Sequence, residues 1–71
     1  MNKVIINREP VELFKLLKFE GLAMTGGEAK MLIDEGAVLV NGQIEMRKRR
    51  KMLAGDVFEF NGEHYVLELE T

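Results

Sequence analysis

Two Asn-Gly dipeptides, Asn41-Gly42 and Asn61-Gly62, constrain this chain more than anything else in it. Each lies between short apolar runs. Ala37-Val38-Leu39-Val40 and Gln43-Ile44-Glu45 flank the first; Val57-Phe58-Glu59-Phe60 and Glu63 to Leu69 flank the second. A two-residue type I′ turn needs positive φ at both central positions, which Asn and Gly tolerate and bulkier residues resist. Two antiparallel hairpins are therefore expected in the second half of the chain. Tyr65, Leu67 and Leu69 alternate with Val66, Glu68 and Glu70, the period of a half-buried strand. The predicted strands cover 37–40, 43–46, 57–60 and 64–69, with Ala54-Gly55-Asp56 as a further turn.

Before Gly36 the period is helical. Leu13, Phe14, Leu16 and Leu17 share one side and Lys15 and Lys18 the other. Asn7-Arg8-Glu9-Pro10 reads as a turn into this helix. Pro10 is expected at its first position, where a missing N–H costs nothing. Glu20-Gly21 ends it. Thr25-Gly26-Gly27-Glu28 matches a capping box, in which the Thr hydroxyl accepts from the Glu28 N–H and the Glu28 carboxylate reaches back to the Thr25 N–H. The second helix runs through Ala29, Leu32 and Ile33 to a left-handed stop at Gly36. The expected helices cover 10–20 and 26–35, and Val4-Ile5-Ile6 admits a short first strand. The order is helix, helix, small antiparallel sheet: an α+β fold, with residues 1–71 forming one domain.

Charge is distributed unevenly. Arg47-Lys48-Arg49-Arg50-Lys51 places five positive side chains in a row, although the chain carries a net charge of −2. Residues 1–51 hold all ten Lys and Arg against seven Asp and Glu, a balance of +3; residues 52–71 hold five acids and no Lys or Arg. Folding gains nothing from adjacent like charges. A polyanion does attract them, because neutralising phosphates releases condensed counterions. The plainer alternative is a solvated basic loop. Such charges normally lie in water, so replacing Arg49 and Arg50 with Glu is expected to leave folding intact. Gly26 and Gly27 open the second helix at its partially positive end, which favours phosphate, and Lys30 follows one turn later. Capping by Thr25 and Glu28 accounts for the helix start. It does not account for two consecutive glycines, each costing roughly 1 kcal/mol relative to Ala inside a helix.

Catalytic groups are scarce. The chain has no Cys and no Ser, which removes thiolate and serine nucleophiles, disulfides and thiolate metal sites. His64 is the only His, so a zinc site is not expected; it reads as an exposed edge-strand residue. Asp34, Glu35 and the C-terminal acids read as a solvated face, with nothing pairing them for acid–base work. The expectation is a non-enzyme with no cofactor, no metal and no small-molecule substrate. No apolar run approaches the ~20 residues of a membrane helix, and residues 1–7 lack the features of a secretory signal. No membrane partner and a cytoplasmic location are expected. Phe14, Phe19, Phe58 and Phe60 are predicted core residues; Tyr65 is assigned to core or rim, with base stacking as the other use of such a ring.

From Leu22 to Val57 the residues also follow an ordered pattern. Gly21-Leu22-Ala23 is followed by Thr25-Gly26-Gly27-Glu28-Ala29-Lys30. Ile33-Asp34-Glu35-Gly36-Ala37-Val38-Leu39-Val40-Asn41-Gly42 comes next, and then Leu53-Ala54-Gly55-Asp56-Val57. This resembles the RNA-binding domain family named after small-subunit ribosomal protein S-four, and within it the small stand-alone bacterial members. The resemblance implies the alpha-L motif: two helices set as an L-shaped helix-turn-helix against the sheet, presenting a basic surface to structured RNA. Carried onto this chain it implies Thr25, Gly26, Gly27 and Lys30 at the second helix and Asn41 at the hairpin. Arg47, Lys48, Arg49, Arg50 and Lys51 line the neighbouring surface, and Lys15 on the first helix completes the candidate set. Gly26 stands where many members have Arg, and Glu12 stands near where an Arg often opens the first helix. The basic run also continues through Arg49 and Arg50, where related short proteins often carry a Gly. The implied partner is ribosomal or transfer RNA, or a ribosomal particle. The other reading is a protein-interaction adaptor that docks its basic loop on an acidic partner.

Overall fold

The computed structural model describes residues 1–71. The chain forms β1 (Asn2–Ile6), β2 (Val11–Glu12), α1 (Leu13–Phe19), α2 (Gly26–Asp34), β3 (Val38–Val40), β4 (Gln43–Ile44), β5 (Lys51–Met52), β6 (Val57–Phe60) and β7 (Glu63–Leu69). Both Asn-Gly turns have positive φ at each position: 50° and 85° at Asn41-Gly42, 56° and 82° at Asn61-Gly62. They join β3 to β4 and β6 to β7 as antiparallel pairs. β3 also pairs antiparallel with β6, giving a five-stranded sheet in the order β1-β7-β6-β3-β4.

The architecture is α+β, as expected, and Val4-Ile5-Ile6 lies in a first strand, but three expectations fail. The sheet is mixed rather than wholly antiparallel, because β1 pairs parallel with β7, from Asn2 beside Tyr65 to Ile6 beside Leu69. The helices are also not the first elements, since β1 and β2 precede them. β1 buries Val4 and Ile6 and exposes Ile5, an alternation too brief to announce its partner. The first helix begins at Leu13 rather than Pro10. Val11 and Glu12 are instead extended and pair antiparallel with Met52 and Lys51, and the Glu9–Pro10 peptide is cis. No side chain caps the start of α1. The carbonyl oxygens of Arg50 and Lys48 accept from the Leu13 and Phe14 N–H groups, at 2.9 and 3.1 Å. The basic loop thus satisfies helix donors that would otherwise be orphaned.

Both helices end on a glycine in the left-handed region. Gly21 (φ 73°) and Gly36 (φ 77°) each donate to the residue three back. The following residues, Leu22 and Ala37, donate to the residue five back, closing two Schellman motifs. At the start of α2 the Thr25 hydroxyl accepts from the Glu28 N–H at 3.1 Å. The reciprocal bond differs from expectation: the Glu28 carboxylate accepts from Met24, at 3.0 Å, one residue upstream of Thr25.

The core lies between the helices and one face of the sheet. Leu13, Leu16, Leu17, Ile33, Val38, Met52, Phe58 and Leu67 are almost wholly enclosed. Phe58 stacks on Tyr65 with ring centroids 4.8 Å apart, which places Tyr65 in the core. Phe14 is buried and Phe60 half-buried, but Phe19 is 70% exposed on the last turn of α1, contrary to its predicted core role. His64 lies exposed on β7, 3.0 Å from a Glu59 carboxylate oxygen. No helix is long and apolar enough to cross a membrane.

Candidate nucleic-acid interface

Phe14 is the hub of the site. The Lys30 ammonium, from α2, lies 4.7 Å from its ring centroid; the Arg49 guanidinium, from the basic loop, lies 5.2 Å away, and Lys15 5.9 Å. Cations over an aromatic face are held by the ring quadrupole. The edge of the same ring faces the start of α2, where a Cβ built on Gly26 would sit 3.5 Å from Phe14 Cε2. One ring therefore gathers three cations and the first turn of α2.

Neither glycine of that turn is required by the fold. Each has an ordinary backbone conformation, and an added Cβ meets only normal contacts, at Gly27 nothing nearer than the Thr25 Oγ1 at 3.8 Å. The N–H groups of Gly26 and Gly27 have no protein acceptor, whereas the Glu28 and Ala29 N–H groups bond to Thr25. Bare N–H groups at a helix N-terminus can receive an anion.

The loop between β4 and β5 is held at several points. Its carbonyls cap α1, Arg50 N–H donates to the Arg47 carbonyl at 3.2 Å, and β5 pairs with β2. Glu45, 7% exposed, organises the loop from beneath. Its carboxylate accepts from Arg47 Nε (2.9 Å), Arg47 Nη2 (3.1 Å), Arg50 Nη1 (2.7 Å) and the Arg47 backbone N–H (3.0 Å). Hydrogen bonding by the Arg47 side chain is the main cause that holds the Glu45 carboxyl at about 2, against the pull of burial in the other direction. The same contact raises the Arg47 guanidinium above its usual value.

Most of the basic residues are already paired. Glu12 lies 3.2 Å from Lys15 and 3.4 Å from Arg49, and these contacts, Lys15 first, keep its carboxyl below the usual range. Lys48 lies 3.4 Å from Asp34 at the end of α2. Lys30 and Lys51 have no carboxylate within ion-pair distance. Of the seven cations of this region, five are paired with three carboxylates, Glu12, Asp34 and Glu45, and two are not paired. Arg47, Arg49, Arg50 and Lys51 alone line a depression of about 510 Å³.

Arg50 corrects an expectation about the loop. Its side chain is only 28% exposed and its partner is the buried Glu45, so reversing its charge would set two carboxylates together. Of the two, Arg49, 63% exposed, is the one that suits a reversal that spares folding. Asn41 is committed within the protein: its amide donates to Asp56 at 3.2 Å and accepts from the Val57 N–H at 3.0 Å, tying the first hairpin to the turn before β6. The Thr25 hydroxyl is likewise engaged in capping. Sequence reasoning assigned no role to Phe14 beyond the core and none to Glu45; the one signal available was an acid two residues ahead of a basic run.

This chain resembles known proteins along most of its length. It is 50% identical over 52 residues, 73% of this chain and 74% of the other, to the Escherichia coli (strain K12) protein named "Putative RNA-binding protein YbcJ". It is 38% identical over 61 residues, 86% of each chain, to the Bacillus subtilis (strain 168) protein named "Probable ribosome maturation protein RlbA". The solution structure of YbcJ, described as revealing an alpha-L motif involved in RNA binding, superposes with a TM-score of 0.71 at 40% identity, covering 96% of this chain and 87% of that one. Residues 4–68 match the family described as "S4 domain". With relatives this close and a match spanning nearly the whole fold, the chain belongs to the S4 domain family.

Proposed function

We propose that this protein is a non-enzymatic, cytoplasmic RNA-binding module, its 71 residues acting as one domain that grips phosphates of structured RNA. The observation that carries this reading is the gathering of Lys15, Lys30, Arg49 and the bare first turn of α2 around Phe14. Three separate segments there contribute donors suited to phosphate, beside a basic loop fastened by its own backbone. The proposed contact set is Lys15, Thr25, Gly26, Gly27, Lys30, Asn41 and Arg47 to Lys51. Within it Thr25 and Asn41 shape the backbone, and the glycines and cations meet the RNA. Recognition would be mainly of RNA shape, because A-form major grooves admit few side chains. Ribosomal or transfer RNA, free or within a ribosomal particle, is the proposed target. The names of the relatives, one an RNA-binding protein and one a ribosome maturation protein, support that choice.

Salt titration with a structured RNA tests the reading. If about four of the seven cations reach phosphates, log K falls against log salt with a slope near −3 to −4, from ~0.7–0.9 per contact. Arg49→Glu and Gly27→Val should each weaken binding to every RNA tried, because phosphate contacts position without reading sequence. Lys3→Glu, on β1 and paired with Glu68, should change it least. Equal losses from all three would place the contact elsewhere. A stoichiometric protein partner that survives nuclease treatment, with no RNA affinity, would favour the adaptor reading.

A further inference from the structure

Glu45 is the chain's only buried charged residue, and it sits beneath a surface where an acid should weaken RNA binding. Its geometry suggests the opposite. Arg47 turns the Nε–Nη2 edge of its guanidinium onto Glu45 and yet remains 71% exposed. A guanidinium carries five N–H donors in one rigid plane. With the Nε–Nη2 edge engaged, the Nη1–Nη2 edge keeps two parallel donors, a spacing that matches two oxygens of a phosphodiester. The Arg47 backbone N–H and Arg50 bond to the same carboxylate, so the loop and both side chains share one anchor.

We infer that Glu45 is a positioning residue for RNA binding, holding Arg47 so that the outer edge of its guanidinium takes one phosphate with two hydrogen bonds. This rests on the RNA-binding reading above. An unrestrained arginine must lose its side-chain freedom when it binds; one already clamped does not, and the saving appears as affinity. Glu12 makes a useful contrast. It holds Arg49 at only 3.4 Å on an exposed surface, without a two-bond clamp.

The test depends on a sign. Coulomb attraction alone predicts that Glu45→Gln, which adds one positive charge to the face, tightens RNA binding. Positioning predicts that it weakens binding. The probe is a fluorescein-labelled RNA hairpin with a single bulge, read by anisotropy, with circular dichroism confirming that each variant is folded. Glu45→Gln is expected to bind about five- to tenfold more weakly. Arg47→Lys, which keeps the charge but not the fork, should lose a similar amount. The double variant should fall within about twofold of the weaker single, since both changes remove one shared arrangement. Replacing guanosine by 7-deazaguanosine in the probe should leave affinity unchanged. A loss with that RNA would mean that Arg47 reads a guanine edge, and would overturn the phosphate assignment. If Glu45→Gln does not fold, Arg47→Lys carries the test, because it keeps a positive charge beside the buried carboxylate at an exposed position. A folded Glu45→Gln that binds as well as the parent, or an unaffected Arg47→Lys, overturns the proposal while leaving RNA binding intact. A parent protein that does not bind the hairpin overturns the RNA reading and this inference with it.

Discussion

Acid should erase the stability that Glu45 confers, and the structure fixes where. The Glu45 carboxyl is held at about 2 in the folded protein, against an ordinary 4.5, chiefly by the Arg47 side chain and then by Arg50. Because the folded value is the lower one, the contribution is complete above about pH 4.5 and disappears as the pH falls toward 2. A carboxyl lowered from 4.5 to about 2 corresponds, at ~1.4 kcal/mol for each tenfold change in proton affinity, to about 3.5 kcal/mol. Water reaches the outer side of Arg47, and screening there reduces the figure to about 1–2 kcal/mol. In a domain of this size, 1 kcal/mol moves Tm by about 4–8 °C. Thermal melts of the parent and of Glu45→Gln, followed by circular dichroism from neutral pH to about pH 2, isolate this group, because every other carboxylate is common to both. Near neutrality the parent should melt about 5–15 °C higher, and the gap should close as Glu45 becomes protonated. A gap that stays constant or widens in acid would refute the reasoning, by showing that the variant loses packing rather than a charge-assisted clamp.

Three further outcomes follow from the same geometry. Glu12→Gln releases Lys15 and Arg49 and should tighten RNA binding about two- to fivefold in a filter-binding or anisotropy assay; weaker binding would show that Glu12 positions its partners as Glu45 does. Thr25→Ala removes the hydroxyl that accepts from Glu28 and should cost about 1 kcal/mol in urea denaturation, with an unchanged midpoint arguing that Gly26 and Gly27 cap the helix through water alone. Phe58→Ala opens the centre of the core beneath Tyr65 and should cost about 3–5 kcal/mol, a large share of the stability of so short a chain. Well-dispersed amide signals with a melting temperature near the parent's would contradict it.

What the sequence could reveal was local. The two Asn-Gly turns, the Thr25 cap and Gly36 each declare a backbone conformation through their own chemistry, and each appears where expected. The elements that were not legible depend on distant partners. Val11 and Glu12 are strand residues only because Met52 and Lys51 lie beside them; the periodic residues begin at Leu13, and it was the tolerance of Pro at a first helical position that drew the expected start of α1 back to Pro10. β1 pairs with β7 across most of the chain, and three β-branched residues do not indicate a parallel neighbour. At the site, the run Arg47 to Lys51 was conspicuous, but its organisation was not. Composition cannot tell that one buried carboxylate clamps Arg47 and Arg50, or that Lys30 and Arg49 both lie against the Phe14 ring. Phe19 misled for the opposite reason: it was assigned to the core because so small a chain needs its large apolar residues there, yet it lies on the last turn of α1, outside the packed stripe.

The pairing of β1 with β7 also sets the order in which a growing polypeptide can reach this shape. Asn2 and its partner Tyr65 are sixty-three positions apart, so β1 leaves the translating ribosome long before the strand it needs has been made. The helices and the β3–β4 hairpin close over short distances and can form as they emerge, while joining β1 to β7 requires the longest loop closure in the fold. Until then Val4 and Ile6, enclosed in the finished sheet, face water on an unpaired strand. A chain cut short before Tyr65 and released would therefore carry every residue of the basic loop and a first strand without its partner, the form most open to proteolysis and to pairing with the wrong edge.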